Sequence, residues 1–217
     1  MENLIRTISI PKLISRAKLI ILNPRTCWDT IAQENESPTT LYTHVVLPLA
    51  CAGAVATVIG LQVFGFATFW GTWRPGLIAS VVQQTLQVLV LCAALYGDAW
   101  VFNRLAPQFM AKISLERAFS LAAYSAVPSL VGKLLGILPP LLPIAAILGL
   151  YSFVVFFFGI RKMVEPASDY TGGTFTDRQN AFFAAAVVIT IVVHVIAGTL
   201  VFPFEPSPFT NINSAVN

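Results

Sequence analysis

LYTHVVLPLACAGAVATVIGLQVFGF, residues Leu41–Phe66, contains no Asp, Glu, Lys or Arg. At ~1.5 Å of rise per residue, a helix of this length crosses a hydrocarbon core of roughly 30 Å. Working outward, four more apolar runs follow: Leu77–Trp100, Ala118–Leu138, Pro139–Ile160 and Ala181–Phe202. Five membrane-crossing helices are therefore expected. The fold class is all-α, a polytopic bundle of five transmembrane helices preceded by interfacial N-terminal helices. Residues 1–40 form a basic amphipathic region, 41–202 the transmembrane domain, and 203–217 an irregular external tail.

The basic residues orient this bundle. Arg6, Lys12, Arg16, Lys18 and Arg25 precede the first run. Arg104, Lys112 and Arg117 lie between the second and third, and Arg161, Lys162 and Arg178 between the fourth and fifth. Only Arg74 and Lys133 fall elsewhere. Cytoplasmic segments of membrane proteins carry the excess of Lys and Arg. The expected topology has a cytoplasmic N-terminus and, with five spans, an external C-terminus.

Composition narrows the functional classes. A chain of 217 residues, 56% hydrophobic and 11% charged, is not an ordinary soluble domain. Its net charge of +3 reflects topology first and attraction to anionic lipid headgroups second; a nucleic-acid partner is not expected. Cys27, Cys51 and Cys92 have no metal-ligand spacing and read as small hydrophobes, so no disulfide framework is implied. The Asn35-Glu36-Ser37 sequon is discounted because it lies on the inferred cytoplasmic side ahead of Pro38.

Before the first span, Leu4, Ile5, Ile8, Leu13, Ile14, Leu19 and Ile20 alternate with basic residues, without the clean apolar core of a cleaved signal peptide. Pro11 suits a first helical turn. Asn23-Pro24 reads as a stop and fresh start, with Asn23 as N-cap. Two short helices lying on the cytoplasmic leaflet are expected, the second carrying Trp28 and Ile31. Phe69, Trp70 and Trp73 read as an interfacial aromatic belt on the outer side. Pro139-Pro140, with Pro143, makes a tight outer turn between the third and fourth spans. Glu165–Arg178 forms the largest cytoplasmic loop between spans. The tail, with Pro203, Pro206 and Pro208, should be irregular.

Soluble-enzyme constellations are missing: there is no phosphate loop, no paired-histidine metal spacing and no nucleophile elbow. No cofactor and no enzymatic activity are expected. Polar residues within the spans are the candidate functional groups, because lipid does not tolerate them unpaired. On a helical wheel Gln84, Gln87, Leu91, Ala94 and Asp98 share one face of span two. Ser125, Ser129, Gly132 and Gly136 form a small-residue stripe on span three, beside Lys133. Span five aligns Asn180, Val187, His194 and Gly198, with Thr190 adjacent. Counting depth from the span ends sets Asp98 near the cytoplasmic end, about 16 Å from Gln87. A Lys133–Asp98 pair is then disfavoured and a Gln87–Lys133–His194 cluster favoured. Lys133 is expected to snorkel or make a structural hydrogen bond before it serves a transport site. Asp98 is expected to pair with Arg104 or cap its helix end.

The third and fourth spans carry Ala123-Tyr124-Ser125-Ala126-Val127-Pro128, Leu138-Pro139-Pro140, Gly149-Leu150-Tyr151-Ser152, Gly159-Ile160 and Glu165-Pro166. Asn23-Pro24, Trp28, Ile31, Tyr42 and Val46-Leu47-Pro48 precede them. Over roughly residues 23 to 202 this arrangement resembles the Yip-domain family of small five-span membrane proteins. The resemblance makes Tyr124, Pro128, Tyr151 and Gly159 the family's structural motif. Physically, Pro128 should kink span three, with Ser125 and Ser129 available to the freed backbone, and both tyrosine hydroxyls need partners. Eukaryotic members are implicated in vesicle trafficking and contact Rab-type GTPases. This chain looks more like the short bacterial members, which lack a long acidic N-terminal region, so no GTPase-binding residues carry over. The resemblance implies a bacterial cytoplasmic membrane.

Two functional readings follow. One is a non-enzymatic membrane organisation or interaction protein. Its basic face of Arg6, Lys12, Arg16, Lys18 and Arg25 would meet lipid headgroups, a membrane-protein partner or a second copy. The other is a pathway for a small solute or ion, with proton linkage as one form of it, through Gln84, Gln87, Asp98, Lys133 and His194.

Overall fold

The computed structural model describes residues 10–34, 36–68, 71–172 and 174–201. Arg6 and its apolar neighbours, Asn35, Phe69, Trp70 and the tail from residue 202 lie outside the described residues. Five helices are long and apolar enough to cross a membrane: Pro38–Val63, Leu77–Phe109, Leu115–Ile137, Pro139–Met163 and Thr176–Thr199. The chain is an all-α, five-span membrane bundle.

Two short helices precede the spans, α1 (Ile10–Leu22) and α2 (Pro24–Ile31). Pro24 occupies the first turn of α2, where its missing N–H removes no helical bond. The Asn23 side chain makes no capping bond; instead its carbonyl oxygen accepts from the Cys27 N–H and the Thr26 hydroxyl. We call the face that carries α1 and α2 proximal and the opposite face distal.

The first span, α3 (Pro38–Val63), begins at Ser37, whose hydroxyl oxygen accepts from the Thr40 N–H. It passes through a π-turn at Tyr42–Val46 just before Pro48. A proline ring crowds the preceding turn and gives it no N–H, and the wider π-turn makes room. At the distal side a short antiparallel hairpin, β1 (Phe66–Thr68) with β2 (Gly71–Trp73), leads into α4 (Leu77–Leu105). Helical structure continues to Phe109, about two turns beyond the expected end at Trp100.

Span three is broken where Pro128 requires it. α5 (Leu115–Ser125) and α6 (Val127–Leu134) meet at Ala126. Ser129 donates its hydroxyl to the Ala126 carbonyl at 2.7 Å. Ser125 does not share this task, because its buried oxygen has no partner. The Pro139–Leu141 turn then reverses the chain into α7 (Leu142–Met163), and α8 (Thr176–Val201) completes the bundle.

Span three is the centre of the packing, in contact with α3, α4 and α7, whereas α8 leans mainly on α4 and only lightly on α7. Small residues permit the closest crossings. A Cβ at Gly60 would lie 2.0 Å from the Gly136 carbonyl oxygen, and one at Gly53 2.8 Å from the Lys133 Cβ. Gly132 faces the Ala145 backbone of α7. The two glycines of the stripe on span three are thus used for packing inside the chain.

On the proximal face the two inter-span loops join. β3 (Ala111–Lys112) pairs antiparallel with β4 (Glu165–Pro166), and Arg117 forms an ion pair with Glu165. The Met110 carbonyl accepts the Ala167 N–H at 2.9 Å, with Met110 in the left-handed region at φ 52°.

Candidate functional site

The proximal side is organised by three long-range hydrogen bonds that seat α1 and α2 on spans three and four. Trp28, fully buried, donates its indole N–H to the Val155 carbonyl at 2.9 Å. Tyr151 donates its hydroxyl to the Ile21 carbonyl at 2.9 Å. Arg16 donates to the Tyr124 hydroxyl at 2.5 Å, and that hydroxyl in turn donates to Glu36 at 2.8 Å. Two of the family-motif tyrosines therefore find their partners in the N-terminal helices. Gly159 belongs to the same arrangement: a Cβ there would come within 2.6 Å of the Trp28 ring and 2.5 Å of Leu121.

Arg16 is only 15% exposed and also binds Glu34, at 2.5 Å, and Glu36, at 3.5 Å. Burial would lower its pKa, but Tyr124 and Glu34 outweigh that and hold the guanidinium above its ordinary value. A planar fork suits this multidentate site in a way an ammonium would not. Arg16 is thus an internal fastener rather than part of a free basic face. Lys12, Lys18 and Arg25 remain exposed, with Arg25 lying 4.8 Å over the Phe158 ring. Lys162 pairs with Asp29 at 2.6 Å across the α2–α7 junction. The helix α2 does not simply lie on a leaflet; its apolar face, with Cys27, Trp28 and Ile31, is buried by protein. Burial pushes the Cys27 thiol up to about 11, an effect only partly countered by Arg16.

The polar residues of the spans do not converge on one face. Gln84 is buried and lines a cleft against α3 with Cys51 and Val55. Gln87, Lys133 and His194 line a second cleft, of about 210 Å³. The Lys133 ammonium makes no hydrogen bond or ion pair with the described residues. Asp98, 2% exposed, lines a third cavity of about 420 Å³ together with Ser125, Ser129, Ser152, Thr190 and His194. Depth counting separated Asp98 from His194, yet Asp98 Oδ2 lies 3.7 Å from His194 Nδ1. Two causes close the gap. The helix α4 runs on to Phe109, so Asp98 sits ~16 Å in from its end. Side chains also lean toward their own helix N-terminus, so on antiparallel α4 and α8 these two lean toward each other. His194 itself is 42% exposed, and its Nδ1 lies 2.9 Å from the Thr190 carbonyl. Arg104 does not pair with Asp98; its guanidinium sits 5.6 Å over the Trp100 ring.

Sequence reasoning missed Glu34 and Glu36 as partners of Arg16. The signal that could have found them is two carboxylates following a basic helix in a chain with only ten acidic residues. Among the described residues no cluster of His, Cys, Asp and Glu could hold a metal ion.

The architecture defines a class: a five-span helical membrane protein whose N-terminal helix pair is locked onto its third and fourth spans. Residues 18–200 match the family model of the Yip1 domain, and the chain belongs to that family. No curated protein and no solved structure matches the chain.

Proposed function

We propose that this Yip1-family protein is a non-enzymatic organiser of its membrane, presenting a rigid basic platform to anionic lipid headgroups on the cytoplasmic side of a bacterial inner membrane. The observation that supports the reading is the seating of α1 and α2 by Trp28, Tyr151 and Arg16 while Lys12 and Lys18 stay exposed. A flexible basic tail would lose conformational freedom on meeting a partner; a pre-seated helix loses little. Each Lys or Arg near an anionic surface contributes about 1 kcal/mol. Native mass spectrometry of the full chain from nanodiscs of mixed phosphatidylglycerol and phosphatidylcholine tests this. Phosphatidylglycerol should be enriched on the wild type, and Lys12→Glu with Lys18→Glu should remove the enrichment. Equal lipid composition on both proteins would refute the platform.

A second reading, a proton-linked pathway for a small solute or ion, is favoured by the approach of Asp98 to His194. Flux in proteoliposomes decides it. A proton or ion current abolished by Asp98→Asn would establish this reading over the first.

A further inference from the structure

We infer that the cavity bounded by α4, the α5–α6 break, α7 and α8 binds a hydroxyl-bearing amphiphile drawn from the bilayer, with its hydroxyl at Asp98 and its chain along Phe153 and Phe156. The cavity holds about 420 Å³, within the range of small-ligand sites. Its walls are apolar apart from a few polar groups, and three of these are orphans. Asp98 Oδ1, Ser125 Oγ and Thr190 Oγ1 are buried without a well-formed hydrogen bond, although the Thr190 hydroxyl is close enough to act on the Asp98 carboxylate. Asp98 comes from α4, Ser125 from α5 and Thr190 from α8, so the orphans converge on one space from three elements. Leaving such groups unsatisfied in a low-dielectric interior is costly, and native structures rarely do it.

The chemistry of the orphans selects the ligand. The Thr190 hydroxyl can turn its proton to Asp98, which leaves a carboxylate lone pair needing a donor and the Ser125 hydroxyl needing an acceptor. An alcohol supplies one O–H donor and two lone pairs on a single atom, the complement of that set. The phenyl rings accommodate an alkyl chain by apolar contact. Access comes from the membrane side. Ile191 and Val195 line the cavity from α8 and are 47% and 60% exposed within a span, where α8 packs only lightly on α7.

Photolabelling of the full chain in nanodiscs with a diazirine-bearing long-chain alcohol tests the site, with a diazirine alkane of equal length alongside. Saturable labelling of cavity-facing peptides by the alcohol, displaced by unlabelled alcohol, is expected. The alkane should label without saturation. Asp98→Ala should weaken alcohol binding about tenfold or more, the effect of losing a hydrogen bond to a charged group. Gly149 lines the cavity, and a Cβ there would meet nothing within 4 Å, so Gly149→Phe fills the space without a backbone clash. It should abolish saturable labelling while circular dichroism and melting stay native, even if Asp98→Ala does not fold. Gly76→Phe, an exposed position outside the cavity, should label as the wild type does. Undiminished labelling of Gly149→Phe, or labelling by the alcohol no more saturable than by the alkane, would overturn the proposal.

Discussion

The indole of Trp28 reaches across from α2 to the Val155 carbonyl of α7, and Gly159, one turn further along α7, leaves the space its ring fills. The hydrogen bond and the ring contact both depend on that single residue having no side chain. Gly159→Ala should therefore unseat Trp28 even though alanine favours helix. Overpacking of this kind costs about 1–3 kcal/mol. Trp28→Phe removes the N–H and part of a fully buried bicyclic ring, so a cavity adds to the lost hydrogen bond and the cost should reach about 2–4 kcal/mol. Denaturation of the purified protein in detergent, followed by circular dichroism, measures both; wild-type stability in either variant would contradict the geometry.

The two ion pairs near α1 and α2 should differ in worth. Arg16–Glu34 is partly buried and shares its guanidinium with Tyr124, whereas Lys162–Asp29 is half-exposed at both ends. Double-mutant cycles should give a coupling above about 1 kcal/mol for the first and about 0–1 kcal/mol for the second. Arg16→Lys should not rescue Arg16→Ala fully, since an ammonium lacks the fork that serves Glu34 and Tyr124 together.

Cys27 reports on the seating of α2. Its thiol, pushed up to about 11 by burial, stays protonated at pH 8, and its side chain is closed to solvent. In a Cys51→Ser, Cys92→Ser background, iodoacetamide should modify it far more slowly than a free thiol, and Trp28→Ala should speed the reaction. The linkage has a definite sign. The raised value stabilises the fold fully below the unfolded thiol's value near 8.5, and that contribution is lost as pH rises toward about 11. Alkylation rates across pH 7 to 10 check both statements.

Glycine positions in the spans should divide sharply. Gly60→Ala places a Cβ against the Gly136 carbonyl and must push α3 off span three, costing at least about 1–3 kcal/mol. Gly97→Ala on α4 meets nothing within 4 Å and should stabilise by about 0.5–1 kcal/mol through helix propensity. Thermal melts of the two variants beside the wild type separate these outcomes.

Span number, the break at Pro128, the Asn23-Pro24 restart and the Pro139-Pro140 turn were all legible, because each rests on local chemistry: uninterrupted apolar length or a missing N–H. The end of α4 was not. Residues 101–109 are too polar to extend an apolar run, yet Asn103 donates to the Ile113 carbonyl and Phe109 packs edge-on to Phe182, so tertiary contacts carry the helix onward. That extension alone shifted the depth assigned to Asp98. Arg16 looked like one more solvated charge because its partners come from after α2 and from span three, at separations no periodicity encodes. The helical wheel placed Gln84, Ala94 and Asp98 on a face that is indeed turned inward, but a long helix with neighbours at several levels opens that face into different clefts, which the wheel does not encode.

The fastening of α2 also sets an order of events during synthesis. Trp28 leaves the ribosome 127 residues ahead of Val155, its hydrogen-bond partner. At about 5–20 residues per second, that interval is roughly 6–25 s. Throughout it, the indole lacks the carbonyl it will bond, whereas Glu34 and Tyr124, the partners of Arg16, are made before the interval ends. A segment made early is among the last to be seated, and the nascent chain leaves the Trp28 indole without its carbonyl until the fourth span arrives.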